Sequence, residues 1–80
     1  MTIVEFAEFL VTRLAKEEDL IKVKQYETED GIIIEILVPE SDMGRVIGRR
    51  GKIANSIKTL IQAKAYNDNV KNVKVNIDSF

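Results

Sequence analysis

Nine residues hold most of the chemistry available to this chain: Gly44-Arg45-Val46-Ile47-Gly48-Arg49-Arg50-Gly51-Lys52. Two glycines bracket two arginines, another glycine lies four residues upstream, and apolar residues on both flanks predict helices packed before and after a tight turn. Glycine has no Cβ, so the main chain can pass close to a ligand, and the N–H groups at a helix start attract anions. Arg49 and Arg50 add positive charge at the tip. The chemistry is therefore a grip on phosphate, with Gly48, Arg49, Arg50 and Gly51 as its centre and Arg45, Lys52 and Ile47 beside it.

Other glycine motifs fail on their letters. A Walker loop requires Gly-x-x-x-x-Gly-Lys-Ser/Thr after a strand, but Val46 stands five residues before Gly51 and Ile53 follows Lys52. A dinucleotide fingerprint requires glycine two residues before Gly48, where Val46 stands again. Catalysis is poorly supplied as well. With no cysteine and no histidine, the chain lacks a thiol nucleophile, a disulfide framework and the commonest base and zinc ligand. The remaining acids and lysines form no recognisable acid–base or metal constellation, so no cofactor is expected and an enzyme is not.

Net charge is −1, which alone argues against a polyanion partner. The distribution reverses that argument. Between Asp42 and Asp68 there is no acid, yet Arg45, Arg49, Arg50, Lys52, Lys58 and Lys64 all fall there, leaving six bases against thirteen acids elsewhere. The molecule should have one positive end on an acidic body. Eighty residues predict one domain, 1–80, and no apolar run approaches the length of a membrane span. No membrane contact and a cytoplasmic location are the expectation.

The elements that must position the glycine segment can be read from periodicity. Thr2-Ile3-Val4-Glu5 has the letters of a capping box, predicting a helix from Ile3 to about Lys16 with Ile3, Phe6, Ala7, Leu10, Val11, Leu14 and Ala15 inward and Phe9 outward. Leu20–Glu27 and Ile32–Val38 predict a hairpin across Thr28-Glu29-Asp30-Gly31, with Gly31 suited to a positive φ. The second run is apolar on both faces apart from Glu35, which makes it the central strand. Pro39 ends it. Ser41 or Asp42 is placed to cap a short helix carrying Met43, Val46 and Ile47. After the glycine turn a helix runs from Lys52 to about Tyr66, and Val73, Val75 and Ile77 give a last strand. A strand returning through helices to the same sheet should be parallel to its predecessor. The result is an α+β fold, α-β-β-α-α-β, with a three-stranded mixed sheet and three helices on one face.

The run Val46-Ile47-Gly48-Arg49-Arg50-Gly51-Lys52-Ile53-Ala54-Asn55-Ser56-Ile57 resembles the signature of the K-homology (KH) RNA-binding domain, and the element order is similar to its type II form. The resemblance implies that the loop clamps the backbone of about four nucleotides of single-stranded RNA. Bases would lie between the helix pair and the middle strand, with Ile47 in the apolar floor. Ala54 departs from the family pattern, which has a larger aliphatic there; Ile53 and Ile57 are placed to fill the space. Similarity to small stand-alone bacterial members implies an RNA chaperone linked to cell elongation and shape, forming a homodimer or a heterodimer with a larger KH-containing (Jag-type) protein. Phe9, Ile33, Leu37 and Phe80 are the candidate pairing residues. The alternative is an adaptor with the same fold, pairing with another KH protein and binding little RNA itself.

Overall fold

Thr2 starts the first helix by reciprocal capping. In the computed structural model, which describes residues 1–80, its Oγ1 accepts the Glu5 N–H at 3.1 Å, while the Glu5 carboxylate accepts the Thr2 N–H at 2.8 Å. Helix α1 (Ile3–Thr12) buries Ile3, Ala7 and Val11, with Phe6, Leu10 and Leu14 packed at the edge of the same core. It stops four residues short of the expected Lys16. The reason is tertiary: the Asp42 carboxylate accepts the N–H groups of Lys16 and Glu17, both at 2.9 Å, so these donors point away from a helical ladder. A short 3₁₀ turn over Glu18–Leu20 then absorbs Leu20, and strand β1 begins later than the sequence predicts, at Lys22 (Lys22–Glu27).

Strand β2 (Ile32–Val38) is the middle strand, as its apolar letters require, in the order β1-β2-β3. It pairs antiparallel with β1 and parallel with β3 (Val73–Ser79). Ile32, Ile34, Ile36 and Val38 point into the helix layer and are buried, whereas Ile33, Glu35 and Leu37 lie on the open face. Each buried aliphatic contributes about 1.5–3 kcal/mol. Across that layer stand Val46, Ile57, Ile61 and Ala65 from helices α2 (Met43–Ile47) and α3 (Lys52–Asn67), together with α1's apolar stripe. The architecture is two layers, with the helices on one face of a mixed sheet.

Gly31 serves a different purpose from the one expected. Its φ is not positive; the hairpin closes with Thr28 N–H donating to Gly31 O and Gly31 N–H donating to Thr28 Oγ1. A Cβ at Gly31 would overlap the carbonyl oxygens of Lys71 and Asn72, so glycine is required there because β3 enters directly against it. The positive φ values of that region belong to Asn69 and Asn72, which turn the chain out of α3 and into β3.

Candidate nucleic-acid interface

Helix α2 is short because glycine ends it. Gly48 N–H returns to Gly44 O at 3.0 Å, and Gly48 then takes φ 75°, ψ 177°, a combination open essentially to glycine alone. A Cβ at Gly48 would lie within 2.9 Å of three Ile53 side-chain carbons. Both the turn and the packing of α3 against it therefore depend on this residue. Arg49, Arg50 and Gly51 follow as one 3₁₀ turn, with Arg50 at φ 58° and Gly51 at φ 74°, both left-handed. Such a conformation costs an L-residue roughly 1–2 kcal/mol. Around Gly51 nothing lies within 4 Å of where a Cβ would sit, so that side of the loop opens to solvent.

Charge at the turn is left without a partner inside the chain. Arg49, Arg50 and Lys52 are exposed, and the molecule's two ion pairs, Arg45 with Asp42 and Lys64 with Asp68, include none of them. Helix α3 starts with no side-chain cap and no acid in its first turn. Its positive end and three cations thus face the same water.

Arg45 is placed otherwise than its position in the motif suggests. Its guanidinium donates to the Asp42 carboxylate at 3.1 Å and to Ser41 O at 3.2 Å, with about half of its side chain (49%) exposed. Asp42 is the one buried polar residue, and neither it nor Ser41 caps α2 by its side chain. Instead Asp42 joins the chain after α1 to the foot of α2. The backbone N–H groups of Lys16 and Glu17, followed by Arg45, hold its carboxyl below the usual range against the opposing effect of burial. The sequence reading missed this anchor, since a partner 25 residues away leaves no local signal.

Ile47 is partly buried against the core, as is Ile53, while Ala54 is buried. The inner face of β2 is covered by the helices, with Ile32, Ile34, Ile36 and Val38 buried. A concavity adjoins the loop on the helix side. Leu10 and Leu14 of α1 and its exit face Ile53, Ile57 and Leu60 of α3 across an apolar groove of about 400 Å³, with Arg13 and Lys52 among its lining. Leu60 is half-exposed there, and on the nearby surface Arg13 stacks over the ring of exposed Phe9 at 4.6 Å.

A mixed three-stranded sheet covered by three helices, with a Gly-x-x-Gly turn between the last two, defines a type II KH fold. Residues 4–77 match the family described as KhpA/KhpB, KH domain, and the chain belongs to that family. Relatives named RNA-binding protein KhpA include that of Borreliella burgdorferi, 44% identical over 66 residues (82% of this chain, 80% of the relative). That of Clostridium acetobutylicum is 38% identical over 73 residues (91% and 96%). Among solved structures, an Era variant from Aquifex aeolicus bound to GDP.AlF4- superposes with TM-score 0.72 at 20% identity, covering 98% of this chain and 30% of that one. Era in complex with MgGDPNP and nucleotides 1506–1542 of 16S ribosomal RNA gives 0.69 at 19%, with the same coverage. These two likenesses concern the fold. Family membership places the chain among non-catalytic domains. No helix is long and apolar enough to cross a membrane.

Proposed function

We propose that the chain binds single-stranded RNA by its backbone through the turn Gly48-Arg49-Arg50-Gly51. The observation that carries this reading is the unpaired, uncapped positive end of α3 with Arg49, Arg50 and Lys52 exposed around it. Curated relatives named as RNA-binding proteins support it. In this reading Arg49, Arg50 and Lys52 neutralise phosphates, Gly48 and Gly51 shape the turn, Arg45 adds the exposed part of a guanidinium already tied to Asp42, and Ile47 lends apolar contact at the rim.

Titrating a fluorescent single-stranded RNA at several salt concentrations tests this directly. Three neutralised phosphates give a log–log slope near −2. No affinity, or affinity indifferent to salt, overturns the assignment.

A grip on so few phosphates is weak, and a second KH unit would raise avidity by 10² or more when both loops reach one RNA. The open apolar groove between α1 and α3 supports such pairing, with a second copy or with a larger Jag-type KH protein, because monomers seldom leave a continuous apolar surface in water. The same observation favours the adaptor as the second reading. Sedimentation analysis alongside the RNA titration separates them: assembly without RNA affinity selects the adaptor. We further propose that the chain acts in the cytoplasm as an RNA chaperone bearing on cell elongation and shape, which strand-annealing assays and the morphology of a deletion strain test.

A further inference from the structure

We propose a second contact for the same RNA on the open face of the sheet, built from Lys22, Lys24 and Lys74 with the aromatic rings of Tyr26 and Phe80. This rests on the reading that the loop holds single-stranded RNA, and it extends the path of the strand beyond the loop.

Strand register places these residues together. Lys22 and Lys24 lie opposite Leu37 and Glu35, Tyr26 lies opposite Ile33, and Ile33 pairs on its other side with Lys74. All of them alternate with the buried aliphatics and so share the face that the helices leave uncovered. Phe80 extends β3 on this face, its N–H donating to Val38 O, and the Lys22 ammonium stands 5.6 Å from its ring centroid.

Charge favours a polyanion here. Outside the basic segment the chain holds six bases and thirteen acids, yet three of those six bases fall on this face, against two acids, Glu35 and Asp78. Neither acid forms an ion pair with a lysine, although Lys24 and Glu35 are direct cross-strand neighbours. Glu35 instead accepts a long hydrogen bond from the Tyr26 hydroxyl at 3.4 Å. Three ammonium groups outside any ion pair, beside two half-exposed rings, form the kind of surface on which bases stack while lysines follow the phosphates.

Topology supplies the route. Because β1 runs antiparallel and β3 parallel to β2, the end of the sheet where β2 finishes also holds Lys22, Leu37 and Phe80. The chain leaves that end through Pro39 and the five residues of α2 to reach the glycine turn. The chain therefore returns to the glycine turn from the end of the sheet that holds Lys22 and Phe80, while Tyr26 and Lys74, both paired with Ile33, lie toward the other end of a molecule only 33 × 23 × 21 Å in extent. A strand held at Arg49 and Arg50 can round the Phe80 end and lie along the sheet from Phe80 toward Tyr26.

The test compares single-stranded RNAs of five and twenty nucleotides, binding to the full chain, to K22Q/K24Q/K74Q, to Phe80→Ala and to R49D/R50D. For the twenty-mer, the triple variant should bind about tenfold more weakly with a salt slope shallower by up to about 2, and Phe80→Ala about fivefold more weakly. Five-mer affinity should be unchanged in both. Unaltered twenty-mer binding by these variants, with binding abolished in R49D/R50D, overturns the sheet contact and leaves the loop reading standing. Indifference of both RNAs to R49D/R50D overturns the loop reading itself and this extension with it. Should the sheet variants lose RNA only in step with a fall in sedimentation mass, the face belongs to a second copy and the proposal fails.

Discussion

Helices α1 and α3 meet the same physical problem at their first turns and resolve it in opposite ways. Each starts with backbone donors that the helix cannot satisfy and with the positive end of its dipole. At α1 the chain answers internally: Thr2 and Glu5 exchange hydrogen bonds, and Glu5 brings negative charge into the first turn. At α3 the cap is a left-handed glycine without a side-chain bond, the first turn has no acid, and Arg49, Arg50 and Lys52 add to the field. One start is completed by its own residues. The other is left open to water with three cations around it, and the proposed binding site rests on that difference.

The sharpest way to break the comparison is at the two glycines. Gly48→Ala places a methyl group among the Ile53 side-chain carbons at a φ/ψ that alanine avoids, and should destabilise the fold by about 2–4 kcal/mol. Gly51→Asn should cost less, about 1 kcal/mol, since asparagine tolerates a left-handed conformation better than other L-residues and the space is open. Thermal melts of the two variants check this. Equal losses would mean that the turn's shape does not depend on Gly48 in the way its packing against Ile53 implies. Gly48→Asp, which would otherwise look like a direct test of RNA contact, is expected to unfold the chain first.

Reversing the charge at the α3 start separates stability from binding. R49D/R50D should lower affinity for single-stranded RNA more than about tenfold while leaving the melting temperature unchanged or raised, because acids near a helix N-terminus gain about 0.3–1 kcal/mol each. A parallel loss of stability would show that the arginines hold the fold rather than a ligand. Thr2→Ala, the counterpart at α1, should cost about 1 kcal/mol, or about 4–8 °C of melting temperature in a domain of this size, with RNA affinity intact. Finding both variants impaired in the same assay would erase the contrast between the two ends.

Much of this arrangement was readable from the letters, for a physical reason that also explains the misses. Capping by Thr2 and Glu5, alternation in Ile32–Val38 and the glycine pair around Arg49-Arg50 are local: the residues that interact are neighbours or near-neighbours in sequence. Ser41 or Asp42 reads as a cap because a serine or aspartate ahead of a helix has that local use, whereas the actual partners of Asp42, the N–H groups of Lys16 and Glu17, are brought to it only by the fold. The same long-range contact shortened α1. Gly31 reads as a turn glycine, yet what demands glycine is the approach of Lys71 and Asn72 from the segment leading into β3. Arg45 stands in the sequence as one more base of the acid-free stretch, and its pairing with Asp42 emerges only in the fold. The apolar groove between α1 and α3 likewise needs two helices placed side by side, which periodicity within either cannot disclose.

Acid titration probes the comparison most gently. Glu5 and Asp42 are the carboxylates held below their ordinary range, Glu5 by the Thr2 backbone N–H and then its hydroxyl, Asp42 by the Lys16 and Glu17 N–H groups. A folded-state pKa below the unfolded value means that each contributes stability at neutral pH, present above about pH 4 and lost as pH falls through the depressed folded values. Acid should therefore loosen the start of α1 and the joint between residues 16–17 and α2, whereas the α3 start, which has no carboxylate to protonate, should keep its local protection until global unfolding. Amide exchange followed from neutral pH down to about pH 3 reads this order. In Asp42→Asn the acid loss at residues 16 and 17 should disappear, because the amide accepts through one oxygen and has no charge to lose. Early exchange at residues 52–55 instead would show that the α3 start leans on a distant carboxylate, and the contrast between a self-completed helix end and an open one would have to be redrawn.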